Sequence, residues 1–292
     1  MTQSHLPHRV AFIGFGEAAR AFLVGWGDAR PPHVSAFDIK TQMTSAAMQA
    51  QYQAHGVDGA ANPAAALERA GLVFSVVTAD QALVAAQSAA PCLAAGALWL
   101  DCNSCAPDTK AQAARIIESA GGRYVDVAIM APVHPKRHLV PMLVSGPHAA
   151  AAIDALAALS MRPDIAGDKV GQASSIKMLR SVIIKGMEAL SAECFLAARR
   201  AGVEEQVLAS LERSDPDINW RARASYNLER MIVHGARRAS EMREVAATVA
   251  ALGLPDGMSA ASAQWQAQIA GLELDPGDDD LLVRMDRILG RL

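Results

Sequence analysis

An apolar run that meets two glycines and then an alanine-rich stretch is the feature that most constrains how this chain can fold. Residues 10–13 are apolar, Gly14 and Gly16 follow, and Glu17 opens the alanine-rich stretch. A buried strand that turns directly into a helix is the first half of a βαβ unit. The run therefore predicts an α/β domain with a parallel sheet at the start of the chain.

The glycine spacing in this run is typical of a turn that holds a dinucleotide. Gly14 permits the sharp turn, Gly16 lets the backbone approach a pyrophosphate, and Ala19 still allows the helix to pack closely on the strand. The helix N-terminus offers unpaired N–H groups to the phosphates, and we expect the Glu17 carboxylate to point away from them. The predicted cofactor contacts here are Gly14, Phe15, Gly16, Glu17, Ala18 and Ala19.

An acidic residue ends the second strand-like segment and bears on the choice of cofactor. Residues 34–37 have strand-like composition, and Asp38 follows them. A carboxylate at this place accepts hydrogen bonds from the adenosine ribose 2′-hydroxyl and repels a 2′-phosphate. Asp38 therefore favours NAD(H), and NADP(H) stays open because this single residue carries the choice.

Short apolar runs and helical segments alternate as far as about residue 165, which is the pattern of a doubly wound sheet. Strands are predicted at 9–14, 34–38, 72–77, 97–101, 123–129 and 140–145, and helices at 17–26, 42–55, 81–90 and 108–120. We interpret residues 161–167 as a short edge strand or turn that closes the domain. The alternation predicts a Rossmann domain over residues 1–168.

After Gly171 the strand pattern disappears and helical periodicity continues almost to the C-terminus. The first helix is predicted at 173–201, and its apolar stripe indicates either core or a dimer interface. Further helices are predicted at 204–213, 217–233, 235–252, 257–270 and 278–290, because prolines and glycines separate them. The sequence therefore predicts an all-α domain over residues 169–292, joined to the first by a long helix.

Composition argues against several classes of function. The net charge of −3 and the absence of a basic tract argue against nucleic acid as a partner. No apolar stretch approaches the ~20 residues of a membrane span, and the first eight residues are too short and polar for a signal sequence, so we expect a cytoplasmic protein. Four cysteines are too few for a disulfide framework, and neither Cys102-Asn103-Ser104-Cys105 nor the scattered histidines indicate a metal site.

A lysine near the start of the long helix is the best candidate for acid–base chemistry. Lys177 follows Gly171 at the junction of the two predicted domains, and we expect it in the first turn of the helix. The positive end of the helix dipole and burial both disfavour the ammonium form there. A lysine that is partly neutral can take a proton from an alcohol or return one to an alkoxide.

Five segments, in order, resemble the β-hydroxyacid dehydrogenase and 6-phosphogluconate dehydrogenase superfamily, and in particular a little-characterised bacterial branch of phosphogluconate-dehydrogenase-like proteins. They are 14–19, Val76-Val77-Thr78, Asp101 to Pro107, Asp126 to Pro132 and Gly171 to Lys177. The resemblance covers residues 9–200. It implies hydride transfer between a nicotinamide and a small hydroxy acid or its aldehyde or keto counterpart, with a homodimer as the working form.

The resemblance also implies roles for particular residues. Lys177 would be the general acid and base, and Val77, Thr78 and Asn103 would lie near the nicotinamide half of the cofactor. The loop 130–132 would face a small anionic substrate. This loop departs from the family pattern, because Met130, Ala131 and Pro132 replace a serine and two glycines, and Ser181, preceded by Arg180, replaces an asparagine.

Two basic segments could supply the anion contacts that this altered loop has lost. The loop 132–138 contains His134 and Lys136, although a solvated basic turn explains it equally well. The second segment, Arg237-Arg238-Ala239-Ser240-Glu241-Met242, resembles a signature of the same bacterial branch. Arg237 and Glu241 are four residues apart on one helical face, so the segment predicts a local ion pair, with substrate contact by Arg237 as the alternative.

Two other functions stay open on the sequence. The altered substrate loop is compatible with an imine reductase on the same scaffold, although Lys177 argues against it. A catalytically silent dinucleotide-binding protein would also retain the cofactor residues while its substrate loop diverged.

Overall fold

The computed structural model describes residues 8–43 and 45–292. The chain divides into two compact units, one ending at Lys177 and the other running from Met178 to Leu292. The sequence-based boundary lay between residues 168 and 169. The first six residues of the long helix, 172–177, are therefore part of the N-terminal unit.

Eight strands form one sheet in the described part of the N-terminal unit, in the order β3-β2-β1-β4-β5-β6-β7-β8. The strands are β1 (Arg9–Ile13), β2 (His33–Phe37), β3 (Asp58–Gly59), β4 (Leu72–Ser75), β5 (Leu98–Asp101), β6 (Arg123–Ile129), β7 (Met142–Ser145) and β8 (Pro163–Gly167). All six predicted strands are present, and residues 163–167 form the edge strand. The two-residue β3 was not predicted, because it is too short to show a strand pattern.

The helices of this unit follow the strands closely. They are α1 (Glu17–Trp26), α2 (Lys40–Met43), α3 (Ser45–Ala54), α4 (Pro63–Leu67), α5 (Ala82–Ala89), α6 (Pro107–Ser119) and α7 (Ala149–Ala158). Helix α1 has the predicted bounds, and α2 and α3 cover most of the predicted 42–55 helix. The short α4 and the alanine-rich α7 were not predicted. Pro107 occupies the first position of α6, where its missing N–H costs nothing.

The expectation of an all-parallel sheet is wrong at one place. Strand β7 runs antiparallel to β6, whereas the other neighbouring pairs in the described sheet are parallel. A parallel connection needs a crossover, usually helical, and the fully described residues 130–141 contain no α-helix. The chain therefore returns directly beside β6.

Both faces of the central strands are covered, which explains the continuous apolar runs at 10–13 and 72–74. Val10 and Phe12 pack on one face with Phe74, and Phe12 stacks on Phe74 with ring centroids 5.2 Å apart. Ala11 and Ile13 pack on the opposite face in a second cluster. The register then brings Ile13 of β1, Ser75 of β4, Asp101 of β5 and Asp126 of β6 into one row across the sheet.

The remaining helices are α8 (Gln172–Ala201), which continues into the second unit, and α9 (Glu204–Ser214), α10 (Trp220–Ala251), α11 (Gly257–Ala270) and α12 (Leu281–Leu289). Their core includes Phe195, Leu228 and Met285. The predicted all-α region after Gly171 is confirmed, with α8 one residue longer than predicted. Among the described residues, no helix combines the length and hydropathy that a membrane span requires.

The predicted break between helices 217–233 and 235–252 is wrong, because α10 runs through Gly235 without interruption. A Cβ at Gly235 would lie 2.6 Å from the carbonyl oxygen of Gln266 and 2.9 Å from the Cβ of Ala270. Gly235 therefore serves the close approach of α10 to α11. The weak helix propensity of glycine predicted a break here, but tertiary packing determines the role of Gly235.

Part of the apolar stripe on α8 is exposed. Ile183 and Leu190 are 64% and 53% exposed, and Ile176 and Leu179 are also exposed. These four side chains do not belong to the core, so the core interpretation is wrong for that part of the stripe. The homodimer stays a prediction.

Replacing Gly235 with alanine is expected to destabilise the helical unit by about 1–3 kcal/mol, because the new methyl group forces α10 and α11 apart. The helix propensity of alanine would by itself stabilise α10 by about 1 kcal/mol, so the two effects have opposite signs. Urea unfolding followed by circular dichroism measures the sum. Gly186→Ala in α8 is the matched control, because its Cβ would meet only the Ser262 hydroxyl oxygen at 3.9 Å. Stabilisation of both variants would contradict this account.

Candidate active site

The turn after β1 has the geometry that the glycine pattern predicts. Gly14 has φ +93°, and a Cβ there would lie 2.7 Å from the Val76 carbonyl oxygen. Gly16 caps the N-terminus of α1, and a Cβ there would meet no atom within 4 Å among the described residues. Gly14 is thus required by the backbone itself, while Gly16 leaves open space beside the helix N-terminus. This arrangement fits a dinucleotide diphosphate.

The turn also lies where ligands bind in open α/β sheets. The strand order reverses between β1 and β4, so the chain builds the sheet outward in both directions from this point. Ligands bind at such a switch point, beyond the carboxyl ends of the strands. Ala19 is fully buried, whereas Glu17 is exposed and Ala18 is half-buried. The ring of Phe15 is buried beside Tyr52 at 4.9 Å between centroids, and contact of Phe15 with a cofactor stays a prediction.

Asp38 follows β2 and is tied to the same turn. Its Oδ2 accepts a hydrogen bond from the Phe15 N–H at 2.8 Å, and its Oδ1 accepts one from the Lys40 N–H at 2.9 Å. The backbone N–H of Asp38 donates to the Tyr52 hydroxyl at 2.9 Å. The carboxylate is therefore held in place before any ligand arrives, and each oxygen retains lone-pair capacity for a ribose hydroxyl.

Asn103 joins the ends of β4 and β5. Its Oδ1 accepts from the Val77 N–H at 2.7 Å, and its Nδ2 donates to Ser75 Oγ at 2.9 Å and Asp101 Oδ1 at 2.8 Å. The side chain is 3% exposed. Asn103 thus shapes the backbone at the predicted nicotinamide end, where Val77 is half-buried and Thr78 is exposed.

A buried ionic network lies behind this edge of the sheet. Lys110 of α6 is 0% exposed, and its Nζ lies 2.8 Å from Asp101 Oδ1 and 3.4 Å from Asp126 Oδ1. Burial by itself lowers the pKa of Lys110, but the surrounding groups, Asp101 foremost, raise it above its ordinary value. Tyr124, whose pKa is raised by burial and by Asp101, donates its hydroxyl hydrogen to Asp101 Oδ2. The network therefore holds two carboxylates and one ammonium in a dry interior.

Asp126 connects this network to the start of α8. Its Oδ2 accepts from the Gly171 N–H at 3.1 Å, the Ser174 N–H at 3.0 Å and the Ser145 hydroxyl at 3.1 Å. Its Oδ1 accepts from the Ser174 hydroxyl at 2.5 Å. Asp126 thus satisfies N–H groups that helix formation leaves unpaired and complements the positive end of the helix dipole.

The anchored helix carries Lys177 to the end of β5. The Nζ of Lys177 donates to the Ser104 hydroxyl oxygen at 2.5 Å, and the pair is partly buried. Lys177 is the sixth residue of α8 and lies in its second turn, so the expected first-turn position is wrong. Because the dipole effect falls off within the first turn, it acts only weakly at this position.

The basic loop 132–138 lies next to α1, and substrate contact by His134 and Lys136 stays a prediction. The loop packs beside α1, and a Cβ on Gly25 would collide with the ring of His138. His134 and Lys136 are exposed on it. Gly25 is in the last turn of α1, eight residues from Glu17 and so about 12 Å along the axis. Met130 is half-buried, with Ala131 and Pro132 exposed next to it.

In the helical unit, the predicted ion pair between Arg237 and Glu241 is present at 2.9 Å. Glu241 also contacts buried Lys185 at 2.7 Å, where burial lowers the pKa of the lysine and Glu241 offsets part of the shift. Arg238 pairs with Glu188, which accepts a further hydrogen bond from Gln266 at 2.7 Å. These ion pairs give the segment 237–242 a structural role. Substrate contact stays a prediction for Arg237, for exposed Arg180 and for buried Ser181.

Two of the four cysteines lie close to this site and are structural residues. Cys102 and Cys105 are buried, and burial raises the pKa of Cys102 to about 12. A thiol of this kind stays protonated and unreactive near neutral pH. Within residues 8–43 and 45–292, no group of three or more His, Cys, Asp or Glu side chains could hold a metal ion.

Comparison with known proteins agrees with this geometry. Residues 9–156 match the family described as the NAD binding domain of 6-phosphogluconate dehydrogenase, and residues 198–269 match a domain of unknown function, DUF1932. The chain belongs to the 6-phosphogluconate dehydrogenase superfamily. Its N-terminal domain is therefore a dinucleotide-binding domain, on a scaffold like that of the 3-hydroxyacid dehydrogenases.

Solved structures of similar proteins cover nearly the whole chain. A conserved hypothetical protein from Sinorhizobium meliloti 1021 is 38% identical, with a TM-score of 0.78 over 99% of this chain and 98% of that one. Conserved protein MTH1747, of unknown function and described as similar in structure to 3-hydroxyacid dehydrogenases, is 30% identical, with a TM-score of 0.70 over 91% and 98%. The Mycobacterium tuberculosis 3-hydroxyisobutyrate dehydrogenase with L-serine shares the fold at 16% identity, with a TM-score of 0.74 over 97% and 99%.

Sequence reasoning missed four residues that build this site. Ser104 and Asp126 lie inside segments already singled out, but only the fold shows that one contacts Lys177 and the other caps α8. Lys110 was hidden within an ordinary helical segment, and Ser174 within the approach to Lys177.

Replacing Asp126 with asparagine is expected to destabilise the N-terminal unit by about 3–5 kcal/mol. The substitution removes the buried negative charge that pairs with the Lys110 ammonium. It also places an NH₂ group next to groups that are themselves hydrogen-bond donors. Urea unfolding measures the loss. Asp164→Asn on β8 makes the same chemical change at an exposed carboxylate and is expected to shift stability by less than about 0.5 kcal/mol. Equal effects of the two substitutions would show that the network does not anchor α8.

Proposed function

We propose that this protein is an NAD(P)-dependent oxidoreductase that interconverts a small hydroxy acid and its keto or aldehyde counterpart, with Lys177 as the general acid and base. The observation that carries the proposal is the position of the Lys177 amine. It is held by Ser104 at the end of β5, on the same edge of the sheet as the Gly14 turn. Strands β1 and β5 are separated by β4 alone, so their ends lie about 10 Å apart.

The residues around the β1 turn fit a dinucleotide. The open space at Gly16 would take the diphosphate, and Asp38 would accept hydrogen bonds from the adenosine ribose. Val77, Thr78 and Asn103 stand at the ends of the next two strands and would border the nicotinamide. When bound, the nicotinamide supplies or accepts the hydride.

The proton is the part of the reaction that this chain's own residues handle. In the direction of oxidation, the carbinol carbon loses a hydride, its oxygen loses a proton to Lys177 Nζ, and the C–O bond becomes C=O. In reduction, Lys177 returns the proton to that oxygen. Ser104 is a positioning residue, because its hydroxyl holds Nζ at 2.5 Å without being consumed.

The comparison with solved structures supports a small anionic substrate. The M. tuberculosis 3-hydroxyisobutyrate dehydrogenase, which shares the fold, was solved with L-serine, a small acid with a hydroxyl group. Met130, Ala131 and Pro132 present fewer polar groups than the family's serine and glycines. We therefore propose that cationic side chains, with Arg180 and Arg237 as candidates, recognise the substrate anion, and that Ser181 contributes its hydroxyl.

Replacing Lys177 with alanine is expected to lower kcat by about 10²–10⁴-fold, because the hydroxyl proton then has no positioned acceptor. Steady-state assays with NADH and NADPH against aldehyde, keto-acid and cyclic-imine panels measure the effect. Cofactor affinity, measured by nucleotide fluorescence, should change by less than about twofold, since Lys177 does not contribute to phosphate binding. Lys169→Ala removes a neighbouring exposed lysine and serves as the control.

Two results would contradict the proposal and point elsewhere. Imine reduction that survives in Lys177→Ala would identify an imine reductase. Tight cofactor binding without turnover of any panel member would identify a dinucleotide-binding protein without catalysis.

Replacing Asp38 with asparagine is expected to raise affinity for NADPH relative to NADH by about tenfold or more, because the charge that repels a 2′-phosphate is gone. The asparagine oxygen can still accept from the Phe15 N–H, so the turn is retained. Titration of each nucleotide against wild type and variant gives the ratio. An unchanged ratio would remove Asp38 as the residue that selects the cofactor.

A further inference from the structure

A cavity lies at the opposite edge of the sheet from the dinucleotide turn. It has a volume of about 490 Å³ and is lined by His8, Arg9, His33, Arg69 and Arg123, together with glycine and aliphatic residues of β4, β5 and α7. We call it the amino-edge cavity, because it borders the starts of β1, β2, β4, β5 and β6. Arg9 begins β1 and Gly14 follows its end, so the two sites are about 17 Å apart.

The charge of this cavity is opposite in sign to that of the whole chain. Three arginines line it, and no aspartate or glutamate does so within the described part of the chain, whereas the chain carries a net charge of −3. Among residues 8–43 and 45–292, Arg9, Arg69 and Arg123 form no ion pair. Like charges gathered in a concave surface repel each other and attract an anion.

Hydrogen bonds to backbone carbonyl groups explain the positions of Arg30 and Arg123 but not those of Arg9 and Arg69. Arg30 donates hydrogen bonds to the carbonyl oxygens of His55 and Gly56 after α3. The Nε of Arg123 donates one to the Gly96 carbonyl oxygen. Arg9 and Arg69 make no such hydrogen bond with the residues that the structure describes. Their guanidinium groups are therefore available to a ligand.

Arg69 occupies a backbone position that normally selects glycine. It follows the end of α4 with φ +59°, in the left-handed region. That conformation is unfavourable for an L-residue, and a glycine at a helix end avoids the cost. The arginine side chain is therefore placed at the cavity against the local conformational preference.

We propose that the amino-edge cavity binds a small molecule carrying two or more phosphoryl groups. Guanidinium groups bind phosphate oxygens in a bidentate manner, and strands β1 and β6 are three strand spacings apart, about 14 Å. Arginines spread across this width suit two linked phosphates better than a single one. The aliphatic walls from Leu72, Leu98 and α7 leave room for an apolar portion of the ligand. The inference is independent of the proposed hydride transfer.

Titration of the full-length protein with inorganic pyrophosphate, in the presence of saturating NADH, tests the proposal by calorimetry. Wild type is expected to bind one pyrophosphate, and Arg9→Gln and Arg69→Gly are each expected to weaken binding about tenfold or more. Arg115→Gln changes an exposed arginine of α6 outside the cavity and should alter affinity by less than about twofold.

Arg69→Gly separates binding from folding, because glycine adopts the left-handed conformation freely and should leave Tm equal or higher. Weaker pyrophosphate binding with an undiminished Tm would support the site. The proposal would be overturned by the absence of saturable binding, by competition between NADH and pyrophosphate, or by undiminished binding in both cavity variants. Loss of turnover in Lys177→Ala has no bearing on these outcomes, so the two proposals fail separately.

Discussion

The carboxylate of Asp126 is the interaction on which the candidate site depends. It joins a buried ammonium on α6 to the first turn of α8, so that the sheet, one crossover helix and the long helix share a single polar anchor. A buried charge is costly unless it is paired and hydrogen-bonded, and Asp126 meets both conditions. The start of α8, and hence the position of Lys177, depends on these contacts.

The two halves of the site on the N-terminal unit are set by different physical requirements. The β1 turn is set by the backbone, because Gly14 must adopt a positive φ and lie against Val76. The Lys177 end is set by electrostatics, through Asp126, Lys110 and Ser104. Register then brings both to one edge, since Ile13, Ser75, Asp101 and Asp126 align across four neighbouring strands. Asn103 joins the halves by linking the end of β5 to Val77.

The same sheet presents two edges of different character. At the carboxyl edge, helix N-termini and glycine turns favour phosphate through backbone N–H groups. At the amino edge, helix C-termini point toward the ligand and disfavour anions, so a phosphate site there needs arginine side chains. This requirement is a physical reason for Arg9, Arg69 and Arg123 to lie together at that edge.

Local patterns in the sequence determined the elements and much of the site. The apolar run before Gly14, the acid at 38 and the glycine-led helix bearing Lys177 predicted a Rossmann domain, a helical region and a dinucleotide turn, because strand burial, turn geometry and helix periodicity are local properties. The tertiary structure alone decided which residues meet. It made β7 antiparallel, kept α10 whole at Gly235, committed Asn103 and Asp126 to buried hydrogen bonds and gathered three distant arginines. Such contacts join residues far apart in the chain, and their energies depend on burial and geometry that no local pattern records.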